Sequence, residues 1–589
     1  MKARTFVEKI FEAEAGDIVF AKPDIVLSHD NSASIEKTFR KMGGNEVLKP
    51  EQVLITLDHN APPTNSKLAN DYQQIRKFTG EQKISKFHDV GEGICHQLMA
   101  DYARPGMVVV GSDSHTCTAG AFNAFAAGID RTETAGLWKK GETWFRVPDT
   151  IKIIVKGQLK EGVYAKDIAL YIIGLLGSEG ADYMSVEFHG EGVLTLSVSD
   201  RMTITNLASE MGAKNAVFPY DEVLSKTIGY NFDGVWADPA AGYVKEVEIK
   251  LDDLFPIVAC PHHVDNIKSV DEVAGTKIGQ ALIGTCTNGR IEDLRIAASI
   301  LRDHKVPQGF QLLIIPASRK IYLQALEEGL IEVFLKAGGN VLSPSCGSCL
   351  GTGQGIPADG VNVLSTANRN FLGRMGNEKA SVYLASPATV AISALKGKIT
   401  SPVQNGTKKV FLSKREKSET VVISPSDNRR INGVWDYSDV DSLNTDQMFA
   451  GNLTYEINSS EPAKIIPHLF KGFDINFAEN LQMNDILICG ENFGCGSSRE
   501  HPAVGLAFAG VQAVIAKSVN RIFYRSAINQ GLPVIVLPEA VSAYRKGDEV
   551  VPDMKNGKLT IGKHQFSFTP LPSKLLEILE SGGLIKWIS

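Results

Sequence analysis

Strand-like and helix-like patterns alternate along the chain between about residues 50 and 395. The apolar run in MVVVGSDSH precedes AGAFNAFAAGI, and GFQLLIIPAS precedes RKIYLQALEEGLIEVFLKAG, where apolar residues recur at helical spacing. The first twenty residues, MKARTFVEKIFEAEAGDIVF, predict an amphipathic first helix. Alternation of this kind predicts parallel sheets covered by helices, with ligands bound where loops leave the carboxyl ends of the strands.

A polar segment separates this region from a second α/β pattern. Residues 396–428, KGKITSPVQNGTKKVFLSKREKSETVVISPSDN, are rich in Lys, Ser, Gly and Pro and predict a linker. After it, VQAVIAKS, RIFYRSAINQ and LPVIVLP predict a strand, a helix and a strand of a further domain. We therefore expect an α/β region of three subdomains at 1–395, a linker at 396–428 and a C-terminal domain at 429–589.

Composition narrows the class of protein. Of the 589 residues, 43% are hydrophobic and 22% are charged, which is typical of a large globular protein and not of a disordered one. The net charge of −6 disfavours nucleic acid or an anionic membrane surface as the main partner. The sequence shows neither a secretory signal nor a run of about 20 apolar residues, so we expect a cytoplasmic protein with no membrane partner.

Three of the eight cysteines are spaced as ligands of one metal site. Cys346 and Cys349 form a C-x-x-C in SPSCGSCLGTGQG, and Cys286 lies 60 residues before the first of them in IGTCTNGR. Thiolates bind zinc or iron-sulfur clusters, while a C-x-x-C can equally be a redox pair or a coincidence. Because no obvious fourth cysteine lies in a matching loop nearby, a four-iron cluster bound here would keep one iron open. An open iron acts as a Lewis acid toward a hydroxyl and a carboxylate.

Four segments together resemble the aconitase and isopropylmalate dehydratase superfamily. They are GSDSHT, IGTCTNGRIEDL, PSCGSCLG and GENFGCGSSREH, and they occur in the family's order. The arrangement resembles the dehydratase large and small subunits fused in one polypeptide. The resemblance implies a hydro-lyase with an aconitase-like fold, in which several α/β/α domains surround one [4Fe-4S] cluster and a C-terminal α/β swivel domain closes over it. Cys286, Cys346 and Cys349 are then the cluster ligands, and one iron is not bound by cysteine.

The resemblance also implies a set of active-site residues. Histidines oriented and kept basic by carboxylates suit proton transfer to a departing hydroxyl. The family pairs three histidines with three acids, which here are His59 with Asp58, His96 with Asp113, and His115 with Glu210. The implied substrate contacts are His29, Ser114, Asn206, Arg369, Arg374, Ser498 and Arg499, and the implied cluster contacts are Asn288 and Asn368.

The general base of the family is a serine, and GCGSSREH offers Ser497 at the matching position. A serine alkoxide must be stabilised by a fixed cation and by backbone N–H groups at the start of a helix. Arg499 is the cation that the resemblance implies, and PAVGLAFAGV predicts the helix that follows.

Two departures from the aconitase pattern bear on the substrate. His29 in LSHDNS stands where citrate-acting members have Gln, which is closer to the isopropylmalate dehydratase type. The loop LNTDQMFAGNLTYEI resembles the specificity loop of the swivel domain, where citrate-acting and homocitrate-acting members place an Arg. Here residues 452–456 are Asn, Leu, Thr, Tyr and Glu.

The missing arginine matters because an unpaired carboxylate in a closed site costs several kcal/mol. The loop therefore favours a substrate of the 3-isopropylmalate or 2-methylmalate type. Citrate or homocitrate stays open if another arginine, such as Arg525 or Arg545, reaches the site.

Two other classes of protein stay open as well. One is a cluster-free relative that binds RNA as a regulator, although the negative net charge and the complete catalytic set disfavour it. The other is a structural zinc site in a non-enzymatic α/β protein. For the enzyme we expect a small polycarboxylate substrate, no nucleic-acid partner, and a monomer or a weak homo-oligomer.

Overall fold

The structure is a computed structural model, and it describes residues 2–229, 231–403, 429–450, 453–454, 457–496 and 499–589. Four larger sheets with helices packed on them make up the molecule, three in the N-terminal region and one in the C-terminal region. This architecture confirms the expected α/β fold class. None of the helices in the described ranges is both long and apolar enough to cross a lipid bilayer.

The first sheet is parallel throughout. Its strands, in spatial order, are Lys86–His88, Val53–Thr56, Ile25–Ser28, Val108–Gly111 and Phe125–Gly128. Val26 and Val110 pack into one hydrophobic core, while their neighbours Leu27 and Val109 pack into a second core on the other side of the sheet. Since both faces are covered, every second residue need not be polar, which explains the continuous apolar runs in the sequence.

Two further sheets complete the N-terminal region. One is parallel, with strands in the order Asn215–Val217, Ser185–His189, Thr150–Lys156 and Lys245–Lys250. The other has seven strands in the order Ile267–Ser269, Ile257–Ala259, Ser381–Leu384, Asn362–Ser365, Gln280–Gly284, Gln311–Ile315 and Gly339–Val341. The last five of these strands run parallel, and the first two are antiparallel additions at one edge.

The C-terminal region carries its own five-stranded sheet. Its strands are Arg430–Ile431, Val434–Tyr437, Ile486–Cys489, Ala513–Ala516 and Val534–Val536, and all except the first run parallel. Two small antiparallel sheets consist of Ile18–Ala21 with Thr143–Arg146, and of Val550–Asp553, Lys558–Ile561 and His564–Ser567.

The helices connect and cover these strands. In the N-terminal region they are Phe6–Phe11, Ser32–Lys41, Ser66–Glu81, Cys95–Leu98, Arg131–Lys140, Ala165–Leu176, Val198–Leu207, Glu222–Ile228, Thr285–Asn288, Ile291–Leu301, Arg319–Glu327, Leu330–Lys336 and Pro387–Lys396. In the C-terminal region they are Thr445–Met448, Pro462–Ile465, Phe477–Asn480, His501–Phe508, Arg521–Asn529, Pro538–Ala543, Ser573–Glu580 and Leu584–Ile588. Ser114–Phe122 forms a 3-10 helix.

Three predicted elements differ from the structure. The first twenty residues are helical at Phe6–Phe11, where Glu12 closes the helix with a φ of 51°, and Ile18–Ala21 is a strand. The segment RKIYLQALEEGLIEVFLKAG forms two helices with Gly329, at a φ of 72°, between them. The segment AGAFNAFAAGI, predicted as a helix, ends in the strand Phe125–Gly128. The prediction was wrong here because a short run of apolar residues has no periodicity that separates a strand from a helix.

The predicted C-terminal elements are confirmed, including the helix His501–Phe508 and the helix Arg521–Asn529. The last two helices, Ser573–Glu580 and Leu584–Ile588, share the hydrophobic core of the first sheet with residues such as Trp138. The C-terminal region is thereby packed against the N-terminal one. Of the predicted linker, residues 404–428 lie outside the described residues, and the two boundaries between the predicted regions stay predictions.

Candidate active site

A cavity of about 610 Å³ lies where the N-terminal region meets the C-terminal region. His29, His59 and Asp113 line this cavity, and each lies within three residues of the carboxyl end of a strand of the first sheet. The seven-stranded sheet delivers Cys286 and Arg369 in the same way. Ligand-binding residues at strand ends are what the alternating pattern predicted.

The C-terminal region contributes a further part of the wall, which includes Asp446, Thr454, Arg499 and His501. Arg499 donates to the Phe449 carbonyl at 3.0 Å and pairs with Asp446 at 2.6 Å. Its guanidinium is therefore held at the cavity before the helix His501–Phe508 begins. Ser497 and Ser498, the predicted base and its neighbour, lie outside the described residues.

The Asp113 carboxylate joins three histidines. Its Oδ1 lies 2.8 Å from Nε2 of His96 and accepts the backbone N–H of His115 at 2.7 Å, while its Oδ2 lies 3.3 Å from Nε2 of His59. Burial alone favours a neutral carboxyl, but the three histidines outweigh it and hold the pKa of Asp113 well below its usual range. Asp113 is thus a carboxylate at neutral pH.

All three expected pairs of histidine and acid are hydrogen-bonded. Nδ1 of His59 lies 3.0 Å from Oδ1 of Asp58, and Nε2 of His115 lies 2.8 Å from Oε1 of Glu210. The third pair is the contact of His96 with Asp113 at 2.8 Å. Each imidazole is therefore fixed in orientation by a carboxylate.

Arg369 also binds Glu210, the acid that is paired with His115. Its Nε donates to both oxygens of Glu210 at 2.9 and 3.0 Å, and its Nη2 donates to Oγ of Ser114 at 3.0 Å. Burial raises the pKa of Glu210, but the charges of Arg369 and His115 outweigh this effect and lower it to about 2. Four of the predicted side chains accordingly form one connected network.

His29 and His59 stack face to face, with ring centroids 3.7 Å apart, yet their charge states differ. Burial, together with the charge of His59, lowers the pKa of His29 to about 3. Burial also opposes the His59 imidazolium, but a thiolate at Cys346, the charge of Asp58 and the hydrogen bonds to Asp58 and Asp113 raise its pKa well above the ordinary value. The pair is then one neutral ring against one charged ring.

Asp30 is a structural anchor that the sequence analysis did not select. Its carboxylate accepts the backbone N–H groups of Asp58, His59 and Asn60 at 2.7 to 3.2 Å, and the hydroxyl of Tyr72 at 2.5 Å. Four donors thereby fix the loop that carries the Asp58 and His59 pair. Asp30 follows His29 directly in LSHDNS, but nothing in that motif indicates which backbone groups it would meet.

The three predicted cluster ligands, Cys286, Cys346 and Cys349, all line the cavity. Nδ2 of Asn206 and Nδ2 of Asn368 each lie 3.5 Å from Sγ of Cys286. Burial and the neighbouring Cys349 raise the pKa of the Cys286 thiol to about 11. A nearby positive centre is therefore needed to keep this sulfur as a thiolate at neutral pH.

The sulfur atoms receive further support from the loop after Asn362–Ser365. Nη2 of Arg374 lies 3.9 Å from Sγ of Cys349, and the Asn368 amide bridges toward both Cys286 and Cys349. Of the described residues, no group of three metal-binding side chains with ligand atoms all within 4.8 Å of one another includes these cysteines. Three cysteines at one cavity wall, with amide N–H groups beside Cys286, suit a thiolate-bound metal group.

Asn288 has different surroundings from those predicted for a cluster contact. Its Nδ2 donates to Asp293 at 2.9 Å and to Oγ1 of Thr203 at 3.4 Å. Within the described ranges its Oδ1 is buried without a hydrogen-bond partner. Its role toward a cluster stays a prediction.

The sequence matches a profile of the aconitase family (aconitate hydratase) over residues 4–397 and a profile of the aconitase C-terminal domain over residues 415–540. The gap between the two matches lies inside the predicted linker. A probable 3-isopropylmalate dehydratase large subunit of Methanothermobacter thermautotrophicus is 47% identical over 396 residues, which cover 66% of this chain and 94% of that protein. A probable methanogen homoaconitase large subunit of Methanosarcina mazei is 46% identical over 391 residues, covering 65% of this chain and 99% of that protein.

The large-subunit relatives account for about two thirds of the chain, which agrees with the predicted fusion to a further subunit region. A crystal structure of 3-isopropylmalate dehydratase from Methanocaldococcus jannaschii is 36% identical and covers 25% of this chain and 87% of its own, with a TM-score of 0.23. The two profile matches, together with relatives that this chain covers almost completely, show that the chain belongs to the aconitase family and is an enzyme of the hydro-lyase class.

Proposed function

We propose that this enzyme removes water from a 2-hydroxy di- or tricarboxylate and returns it at the adjacent carbon, which isomerises the substrate. The observation that carries the proposal is the Asp113 carboxylate, which contacts three histidines at a cavity that three cysteines also line. Elimination of water needs a proton for the leaving hydroxyl and a base for the carbon-bound proton. The names of the relatives, an isopropylmalate dehydratase and a homoaconitase, agree with this reaction class.

Cys286, Cys346 and Cys349 are proposed to hold one [4Fe-4S] cluster in which one iron is not bound by cysteine. When bound, the cluster would supply a Lewis acid for the substrate hydroxyl. The N–H donors of Asn206 and Asn368 beside Cys286 support a thiolate site. Metal analysis after anaerobic purification separates the two, because one equivalent of zinc without iron or sulfide contradicts the cluster.

His96 is the residue best suited to deliver the proton to the leaving hydroxyl. Asp113 fixes it through Nε2, while its Nδ1 is buried and has no hydrogen-bond partner among the described residues. A substrate hydroxyl is a partner that this nitrogen can take. His59, between Asp58 and Asp113, has both ring nitrogens engaged and provides a fixed positive charge beside an anionic substrate.

Ser497 is proposed as the base that takes the carbon-bound proton. Two features of the described residues around it support this assignment. Arg499 is held at the cavity by Asp446, so a cation is available two residues away, and the helix His501–Phe508 starts just after it. A cation and a helix N-terminus are the groups that stabilise an alkoxide.

Arg369, Arg374 and Ser114 are proposed to bind the carboxylates that all substrates of this class share, together with Ser498, Arg499, Asn206 and His29. The described part of the predicted specificity loop is short, and Thr454 lines the cavity. Neither Arg525 nor Arg545 supplies the arginine that this loop lacks. Arg525 is paired with Glu133 in the protein interior, and Arg545 donates to the carbonyls of Ser542 and Tyr544 at the surface.

The reaction is tested by anaerobic cluster reconstitution followed by an ultraviolet assay for enoate formation with 3-isopropylmalate, 2-methylmalate, citrate and homocitrate. Turnover of at least one of them by protein with an intact cluster spectrum is expected. Turnover of an alkylmalate alone would support the prediction made from the loop. A fully loaded protein that turns over none of the four would contradict the proposed function.

Two variants test the roles of the proposed base and of a proposed ligand. Ser497→Ala should abolish turnover and leave the cluster spectrum intact, since the serine is not a ligand. Cys346→Ser should lose both the spectrum and the turnover. Full activity of Ser497→Ala would refute the assignment of the base.

A further inference from the structure

Arg131 is a charged residue at the cavity wall that the sequence analysis did not select. It is the first residue of the helix Arg131–Lys140, whose cap Asp130 accepts the N–H of Glu133. The Arg131 side chain lines the cavity and is partly buried. Across the described residues it has no hydrogen bond and no ion pair, which sets it apart from the other guanidinium groups at this wall.

Each of the three other arginines of the cavity has at least one side-chain partner among the described residues, although Nε of Arg374 is buried without one. Arg369 is bound to Glu210 and Ser114, Arg499 is bound to Asp446, and Arg374 approaches Sγ of Cys349. A partly buried arginine without a paired anion becomes more favourable when a ligand carboxylate pairs with it. The charge of Arg131 therefore indicates a position where an anionic group of a ligand is expected.

No described neighbour of Arg131 forms an ion pair with it. The nearby His29 and His501 are neutral at pH 7, because burial lowers the pKa of each to about 3 and the charge of Arg131 adds to the effect. The carboxylate of Glu500 accepts the backbone N–H of Thr132 at 3.3 Å and its hydroxyl at 2.8 Å, and it forms no ion pair with Arg131. Thr454 of the predicted specificity loop lines the same cavity.

We infer that Arg131 binds the carboxylate that distinguishes a tricarboxylate substrate from an alkylmalate, and that it is a specificity-determining residue of this enzyme. The inference rests on the proposed function, whose substrate it narrows to the tricarboxylate class. An alkyl group placed against Arg131 would exclude water from the guanidinium without pairing it, whereas a carboxylate can pair with it through two hydrogen bonds. The arginine that the C-terminal loop lacks is thus provided by the N-terminal region.

The first test is a binding measurement that needs no turnover. Anaerobically reconstituted protein is titrated by calorimetry with tricarballylate, which has three carboxylates and no hydroxyl, and with methylsuccinate, which has two. We expect tricarballylate to bind more tightly, and Arg131→Gln to weaken it by about 30-fold or more relative to methylsuccinate, as expected for a lost buried charge pair. Equal effects on the two probes, or no effect, would overturn the inference.

The second test is kinetic and compares homocitrate, citrate and 3-isopropylmalate. The ratio of kcat/KM for the better tricarboxylate to that for 3-isopropylmalate should fall by about 30-fold or more in Arg131→Gln, mainly through KM. Arg131→Lys should recover part of the ratio. Lys140→Ala, an exposed cation on the same helix, is the control and should leave the ratio unchanged.

The outcomes separate the inference from the proposed function. Binding of tricarballylate that depends on Arg131, without turnover of any substrate, would refute the proposed reaction and leave the carboxylate site standing. Turnover of an alkylmalate alone, or a substrate ratio that Arg131→Gln leaves unchanged, would refute the carboxylate site and leave the reaction standing.

Discussion

At the scale of single residues, the candidate active site contains histidines and arginines that buried carboxylates hold in place. Asp113 holds three histidines, and Glu210 holds His115 and Arg369. The sequence identified all of these residues through their motifs. It did not identify Asp30 or Arg131, because neither residue type in its local pattern indicates a role, and each acquires its neighbours only in the folded chain.

Glu210 predicts a specific loss of stability in acid. Its pKa is lowered to about 2 in the folded protein from an ordinary value near 4.5. The unfolded chain therefore binds a proton first as the pH falls, so this contribution is fully present above about pH 4.5 and is lost as the pH approaches 2. The loss amounts to roughly 3 kcal/mol.

The measurement is urea unfolding of the cluster-free protein at several values between pH 6 and pH 3. Glu210→Gln should flatten the dependence of the unfolding free energy on pH in this window. Glu222→Gln, an exposed acid at the start of another helix, should keep the wild-type dependence. An unchanged slope in Glu210→Gln would show that the ion pair with Arg369 does not set the charge of this acid.

At the scale of elements, strand ends and the loops after them position the chemistry. Gly284, at a φ of 134°, ends a strand directly before the turn of Cys286, and an added Cβ there would lie 2.0 Å from the Ile315 carbonyl oxygen. The apolar periodicity of the sequence located most of these strands. It failed at 125–128, where a strand that is buried on both faces resembles the continuation of a helix.

The loop 58–60 depends on Asp30, and this dependence can be measured. Asp30→Ala removes the acceptor of three backbone N–H groups and of the Tyr72 hydroxyl, so it should destabilise the protein by roughly 3 kcal/mol or more. Turnover should fall as well, because this loop carries His59. Thermal unfolding and the enoate assay report the two effects.

Tyr72→Phe is the matched comparison, since it removes one of the four donors and leaves Asp30 in place. It should cost about 1 kcal/mol. If Asp30→Ala is no more destabilising than Tyr72→Phe, the three backbone contacts do not hold the loop.

At the scale of the whole molecule, the cavity of the candidate active site is lined by two regions that share a buried interface. Arg525, on a C-terminal helix, pairs with Glu133 on the helix that begins at Arg131, and it also donates to the Trp144 carbonyl. Thr132 bonds to Glu500 one residue after Arg499. The same N-terminal helix therefore presents Arg131 and anchors the C-terminal loop of the site.

The Arg525 pair should be essential for joining the two regions. Arg525→Leu leaves the Glu133 carboxylate buried and without its cation, and it should destabilise the protein by about 3 to 5 kcal/mol. Arg545→Ala, at an exposed position in the same region, should change stability by less than about 0.5 kcal/mol. The unfolding midpoint measured by circular dichroism compares them, and equal midpoints would contradict an essential interface pair.

The sequence by itself determined the α/β architecture, the order of the two regions, the family and the cysteine, histidine and acid motifs of the site. These features are local, since strand and helix periods and short motifs are carried by neighbouring residues. The tertiary structure decided which of the described side chains line the cavity. Arg525 and Arg545 have partners elsewhere, whereas Arg131 lies at the cavity wall. The physical reason is that charge balance in a buried site depends on contacts between residues far apart in the chain, and no local pattern encodes those contacts.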